Sequence, residues 1–308
     1  MTELARYVVF GEALTDFIRE GPGRWRSAAG GSPWNVARVG ARLGLATGFA
    51  GAVSTDVLGE ELLRLSREAG LDPRFVQQVE RAPLLALVVS KHPPQYFFIG
   101  ENSADLHFDP GELPEGWIAT AEVVHFGSLS LAREPLAGRL LAVAEKVRAD
   151  GRRIAFDPNY RNLMGEAYRP TLRRMTELAD YIKVSDEDLE GLFPAIDPVA
   201  ALGQLRAWSP RASFLFTHGG AGLELVTPER RVVQPAFPVR VEDTVGAGDA
   251  SMAGWMFSVI TRPEARLEDH AAFAAGAAAV ACEHVGAYAP TFAEVSGFLG
   301  GRGVRQPT

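Results

Sequence analysis

The stretch Asp243-Thr244-Val245-Gly246-Ala247-Gly248-Asp249-Ala250, followed by Ser251–Ile260, decides how the rest of the chain is read. Ser251–Ile260 reads as a helix, so two glycines and an aspartate stand at its entrance. Glycines let the backbone turn tightly with its N–H groups outward, at a helix start where the first donors lack intrahelical partners. Such a nest can hold an anion, and the helix dipole adds to the attraction. A carboxylate at Asp249, in the first turn, is placed to take a proton from a substrate hydroxyl. The neighbouring amides would stabilise charge developing on a transferred group. For a bare G-x-G the plainer reading, an aspartate capping a helix after a turn, would prevail. The full eight-residue string is far more specific.

Outward from that string, short β-branched or aromatic runs alternate with helical patterns. The strand candidates are Tyr7–Gly11, Glu122–Gly127, Arg153–Asp157, Tyr181–Val184 and Ser213–Thr217. Amphipathic segments lie between them: Val57–Ala69, Pro135–Ala149, Pro170–Ala179 and Asp197–Trp208. In Pro135–Ala149, Leu136, Leu140, Val143 and Val147 recur at helical spacing, on the face a sheet would cover. This order predicts an α/β protein with a doubly wound, mostly parallel sheet and helices on both faces. Ligands in such sheets bind beyond the carboxyl ends of the strands. Two stretches break the alternation. Gly21-Pro22-Gly23 turns between Asp16–Arg19 and Trp25–Ser27, and Lys91-His92-Pro93-Pro94 turns between strand-like Leu84–Ser90 and Gln95–Gly100. These are expected to form a small sheet outside the main one, either a lid or an ordinary edge hairpin.

Composition narrows the function. The 308 residues carry a net charge of −7, with three lysines and 28 arginines interleaved with acids, which argues against a polyanion partner such as nucleic acid. One cysteine, Cys282, excludes a disulfide framework and a multi-cysteine zinc site, and its small-residue surroundings suggest an inert packed thiol. The six histidines show no metal-ligand spacing, and His125 on its strand reads as a satisfied core residue. No targeting segment or membrane span is read, so a cytoplasmic protein is expected. G-x-x-x-x-G-K-[ST] is absent, as are an H-R-D and D-F-G pair and a first-strand G-x-G-x-x-G. P-loop enzymes, protein kinases and Rossmann dehydrogenases are thereby set aside.

The 243–250 string resembles the C-terminal signature of the ribokinase-like (PfkB) carbohydrate kinases. Ala29-Gly30-Gly31-Ser32-Pro33-Trp34-Asn35-Val36-Ala37 is similar to their N-terminal glycine-glycine…asparagine signature. The resemblance covers essentially the whole chain. It implies one ribokinase-like domain over residues 1–308, with a β lid built from about residues 13–30 and 84–108, ATP as phosphoryl donor, and Mg2+. It makes Asp249 the base and the backbone of Gly246, Ala247 and Gly248 the anion hole. Gly31, Ser32 and Asn35 would meet the sugar, together with Asp16. Read without the family, Gly30-Gly31 is only a turn entering a helix and Asp16 a solvated loop acid.

Further matches are fructokinase-like. Asp157-Pro158-Asn159-Tyr160-Arg161 is similar to a D-P-N-x-R element, with Asn159 toward the phosphates and Arg161 toward the substrate. Thr217-His218-Gly219-Gly220-Ala221-Gly222 resembles a T-x-G-x-x-G nucleotide loop, which makes Thr217, Gly219 and Gly222 ATP contacts, with Lys183 and Ser185. Where many members carry N-x-x-E, this chain has Ser185-Asp186-Glu187-Asp188. A magnesium role for Asp188 therefore competes with helix capping. Phe98 and Ser103-Ala104-Asp105 match an F-x-R-x-x-x-A-D pattern without its arginine, so Phe98 and Asp105 are carried over as acceptor contacts. By the same resemblance the Asp243 and Thr244 carbonyls would hold a monovalent cation such as K+, and two copies would pair through the lid. The expected reaction is phosphorylation of a sugar primary hydroxyl. Fructose is the first choice and 2-keto-3-deoxygluconate, whose carboxylate calls for an extra basic residue, the rival. A silent sugar or nucleotide sensor on the same fold is the alternative from another class.

Overall fold

The structure is a computed structural model that describes residues 4–91 and 94–303. Strand β1 (Tyr7–Phe10) is buried along its whole length, as its unbroken apolar run requires of a strand covered on both faces. It pairs in parallel with β4 (Thr47–Ser54) on one side and β8 (Val123–Gly127) on the other. Beyond β8 follow β9 (Arg153–Asp157), β10 (Tyr181–Ser185) and β11 (Ser213–Thr217), all parallel. Antiparallel β12 (Leu223–Val226) and β13 (Arg231–Gln234) close that edge, and β5 (Val76–Val79) closes the other. The nine strands run β13-β12-β11-β10-β9-β8-β1-β4-β5, so the order reverses beside β1, where such sheets bind ligands.

A second sheet has four strands, ordered β3-β2-β6-β7: β2 (Leu14–Gly21), β3 (Arg24–Gly30), β6 (Leu85–Lys91) and β7 (Pro94–Ile99). The proline turn expected at residues 92–93 lies outside the described residues. Register places Asp16, Ala28, Ala86 and Phe98 in one row across this sheet, hence on one face. Phe17, Ser27, Leu87 and Phe97 form the next row, on the opposite face.

Helices α1 (Ser32–Arg42), α2 (Val57–Ala69), α3 (Trp117–Thr120), α4 (Leu136–Ala149), α5 (Arg169–Leu178), α6 (Asp186–Leu192), α7 (Pro198–Trp208), α8 (Ala247–Thr261), α9 (Leu267–Cys282) and α10 (Phe292–Gly300) complete the elements used below. The large sheet separates two apolar clusters, one beneath α4, α5 and α7 and one beneath α1, α8 and α9. On α4 the buried face is Leu136, Leu140, Ala144 and Val147. Val143, expected there, is only partly buried, because small Ala144 takes the central position. The small-residue run ending at Cys282 is a helix rather than a loop. Gly254 of α8 faces Ala274 and Ala277 of α9, so the two backbones approach closely, and both helices are buried almost throughout. The Cys282 carbonyl at the end of α9 accepts from Glu242 N (2.9 Å) and Asp243 N (3.4 Å), which anchors the segment leading into α8. Trp34 of α1 is fully buried and donates through Nε1 to Ser66 Oγ on α2 (2.9 Å), setting the depth of α1 against the sheet. Among the described residues no helix is long and apolar enough to cross a membrane.

Candidate active site

Helix α8 starts at Ala247, with Gly246 as N-cap in the left-handed region at φ 79°. Asp249 is therefore the third helical residue, and it is buried. Its two oxygens are both held from α1: Ser32 Oγ donates to Oδ1 (2.7 Å) and Asn35 Nδ2 to Oδ2 (2.9 Å). Gly31 makes this possible. It caps α1 at φ 107°, and an added Cβ would lie 2.6 Å from Glu12 O, so the chain can turn there only with glycine. The Oδ1 of Asn35 is buried and has no hydrogen-bond partner among the described residues. Burial pushes the Asp249 carboxyl above its ordinary value. The hydrogen bonds from Ser32 and Asn35 and the charges of Lys183 and Arg161 oppose that shift.

The two glycines of the turn do different jobs. A Cβ on Gly246 would sit 2.9 Å from Ala287 Cα, and its φ is one that L residues avoid. Gly248 has no such backbone requirement. Its missing side chain leaves room for Lys183, whose Nζ would be 3.2 Å from a Cβ there. Asp243 ties the turn to the 284–288 loop: Oδ1 accepts from Val245 N and Oδ2 from Gly286 N, both at 3.2 Å. Ala247 N donates to Thr244 O (3.2 Å), so this amide closes the turn and is not spare for an anion as the three-residue hole would require.

Beneath the turn, Lys183 of β10 lies between Asp157 (3.1 Å) and Asp188 (3.6 Å), all three buried. Burial opposes the Lys183 charge, but Asp157, Asp188 and Asp249 together outweigh it and hold the ammonium protonated above its usual range. The two acids part company. Burial, reinforced by Asp188 and Asp249, lifts Asp157 to about 7 despite Lys183. Asp188 is buried too, yet Lys183, the Ser185 hydroxyl and the amides of Ser185 and Tyr160 keep it below the ordinary carboxylate range. Ser185 and Asp188 form a capping box on α6, with Asp188 N donating to Ser185 Oγ (3.0 Å). Helix capping thus engages both residues, and each Asp188 oxygen accepts one backbone amide. Asn159 sits at φ 43°, and its Oδ1 accepts from Arg161 Nη1 (2.9 Å).

On the other side, Asp16 lies beneath Gly30, where any Cβ would strike its carboxylate. Burial lifts Asp16 to about 6, against the pull of Arg161 and then Arg26. Arg26 was not singled out from sequence, since nothing local marks it. It sits on β3 diagonally from Asp16 across the register, on the same face. Phe98, in the Asp16 row, packs against the core cluster. Asp105 is buried and already engaged: Ser103 Oγ approaches Oδ1 (2.5 Å) and Arg133 Nη1 donates to Oδ2. Asp105 thereby anchors this segment to Arg133. Thr217 ends β11, and Gly219–Ala221 forms a 3-10 turn with Gly219 and Gly222 both at positive φ. His218 between them sits 2.9 Å from Asp186 and 3.6 Å from Glu224. His125 is buried, but neither ring nitrogen finds a partner among the described residues, so it is not the satisfied core histidine expected. Burial, with Lys183 nearby, pushes it down to about 3 and keeps it neutral.

Residues 4–293 match the pfkB family of carbohydrate kinases. A fructokinase of Klebsiella pneumoniae is 32% identical over 252 residues, covering 80% of this chain and 81% of the relative. Among solved structures, a fructokinase with bound ATP from Xylella fastidiosa superposes with a TM-score of 0.87 at 28% identity, over 97% of this chain and 100% of that one. An aminoimidazole riboside kinase from Salmonella enterica, complexed with its riboside and an ATP analogue, gives 0.83 at 26% identity, over 95% and 99%. The two glycines can be told apart by unfolding. Gly246→Ala should cost about 1–3 kcal/mol for its φ and its backbone clash, and Gly248→Ala clearly less, since only a flexible lysine tip must move. Equal losses in urea denaturation would contradict the distinction.

Proposed function

The chain belongs to the pfkB carbohydrate kinase family, and from that membership we propose that it transfers the ATP γ-phosphoryl group to the primary hydroxyl of fructose, with Asp249 as the base. The observation that carries the reading is the Asp249 site. A buried carboxylate with a raised pKa stands at a helix N-terminus, oriented by Ser32 and Asn35. Such a group is poised to accept the hydroxyl proton as attack begins. Leading amides of α8, chiefly those of Gly246 and Gly248, face the charge spreading over the phosphoryl oxygens. Lys183, admitted by the bare Gly248, adds a fixed positive charge below them.

The acceptor would lie between Asp16, Gly31, Ser32, Asn35, Phe98 and Arg161, with the free acceptor atom of Asn35 available to a sugar hydroxyl. The small sheet would act as a lid that keeps water, the competing acceptor, from the phosphoryl group. ATP would rest along Thr217, Gly219 and Gly222. Among the described residues no three His, Cys, Asp or Glu converge on one metal position. The chain therefore fits a magnesium ion that arrives on the nucleotide and keeps much of its water. When bound, that ion neutralises charge on the terminal phosphates. The Asp243 and Thr244 carbonyls, in the turn tied to Gly286, are proposed ligands for K+. The apolar outer face of the small sheet, with Trp25, Phe97 and Ile99 exposed, supports pairing of two copies, which sedimentation velocity would register as a dimer.

Arg26 supports a second reading. It is an extra guanidinium beside Asp16, the feature a carboxylate-bearing acceptor such as 2-keto-3-deoxygluconate would need, although it also pairs with Glu20 (3.2 Å). A silent sensor has no use for a proton acceptor held as Asp249 is.

Coupled ADP release from Mg-ATP, with fructose, 2-keto-3-deoxygluconate and ribose compared in K+ and in Na+, should show the highest kcat/KM for fructose and faster turnover in K+. Preference for the keto acid would move the assignment to the second reading. The acid limb follows from the raised carboxyls. Asp249 and Asp16 must be ionised to act and burial raises both, Asp16 to about 6, so kcat/KM should fall in acid at a pH above the ordinary aspartate range. A limb that begins only near pH 4 would contradict their roles.

A further inference from the structure

Gly100 stands at the end of β7, where the F-x-R-x-x-x-A-D pattern has its arginine. A guanidinium is nevertheless present at that spot. Arg133 follows the 3-10 turn Ser128–Ala132 beyond β8, so it belongs to the core. Its Nη2 donates to Gly100 O and to Ser103 Oγ (3.1 Å), and its Nη1 to Asp105 Oδ2. The fork thus spans the whole segment by which the small sheet returns to the large one. Arg133 is only 13% exposed and Asp105 1%, so each is the other's charge partner away from water. Ala104 N donates to Ala82 O (2.8 Å), which ties this return to the segment entering β6.

Gly100 is not demanded by its backbone, since its φ is not in the left-handed region. What it provides is room. A Cβ there would strike Leu84 Cδ1 and lie 2.8 Å from Ser103 Oγ and 3.1 Å from Arg133 Nη2. A side chain at position 100 would press on the buried Leu84 and on Ser103 first, and would also crowd the guanidinium of Arg133.

We propose that Arg133 is a positioning residue that replaces, from the core, the arginine missing from the small sheet, and that it sets the acceptor side of the site by pinning residues 100–105. Phe98, two residues upstream of the pinned carbonyl, shares a register row with Asp16, so the pin fixes one wall facing that carboxylate. The functional part rests on the sugar-kinase reading given above; the exchange of guanidinium between positions 133 and 100 does not.

The test is a double-mutant cycle of Arg133→Ala and Gly100→Arg, with Arg133→Lys as control, read as acceptor KM, ATP KM, kcat and unfolding midpoint. Arg133→Ala should raise acceptor KM by about tenfold or more while ATP KM stays within about twofold, the mark of a misplaced acceptor wall. Arg133→Lys should restore little, because one ammonium cannot make the fork to both Gly100 O and Asp105. Gly100→Arg alone should be impaired by crowding, and the double variant should stand nearer wild type than either single one. An unchanged acceptor KM in Arg133→Ala, equal losses on both substrates, or simple additivity would overturn the proposal. If the wild-type protein phosphorylates no sugar, the functional reading has failed. The same cycle read in unfolding midpoints, with the double variant again nearer wild type, then decides the exchange alone.

Discussion

Everything in the proposed chemistry depends on keeping one carboxylate buried, oriented and ready at the start of a helix. Burial alone raises the cost of its charge, and a base that is protonated at neutral pH is useless. The protein's answer is to bring Ser32 and Asn35 from the far end of the chain and give each Asp249 oxygen one donor. The requirement propagates outward. α1 must lie along α8, which the buried Trp34 and its bond to Ser66 secure. α8 must start where it does, which the Gly246 turn and its contact with Ala287 secure. The turn in turn hangs from the Cys282 carbonyl and the Asp243 staple to Gly286.

A second constraint lies one layer down. Lys183 sits among three acids, and its position against Gly248 brings a positive charge under the anion turn without exposing it to solvent. Asp188 holds its charge because Lys183, the Ser185 hydroxyl and two backbone amides support it, whereas Asp157, with one amide from Asn159, is lifted by burial and by the charges of Asp188 and Asp249. The same N-x-x-E position that suggested a metal ligand is thereby used for helix capping and for balancing a lysine. Among the described residues the nitrogens of His125 and the Tyr7 hydroxyl find no partner, so this layer is polar and incompletely satisfied by the protein groups described.

The parts legible in the sequence were those with local causes. Apolar strands buried on both faces, helices with one covered face and a glycine turn before an aspartate announce themselves over a few residues. β4 escaped because glycine and alanine fill half of its run, Thr47–Ser54, and its β-branched residues Thr47 and Val53 stand apart near its two ends, and α9 because its small residues are suited to close packing on α8. Resemblance put Asp249 and the 32–35 segment into one site, but not the direct bonds from Ser32 and Asn35 to Asp249, since no periodicity joins positions over two hundred residues apart. Asp105, Asn159, Ser185 and Asp188, read from motifs as ligand contacts, all have partners within the protein. A polar residue in a motif can spend its side chain on the protein, and only the partners reveal it. Arg26 and Arg133 carry no local signature at all; what brings them to the site is sheet register in one case and a loop reaching back in the other.

The central claim is that Asp249 is the proton acceptor and not merely a cap for α8, and a single variant addresses it most directly. Asp249→Asn preserves size and the first-turn position but cannot take a proton, so kcat should fall by about 10³-fold or more while calorimetric affinities for ATP and sugar stay close to those of the wild type. An asparagine variant that turns over at near-normal rate would contradict the account and return Asp249 to the role of a helix cap.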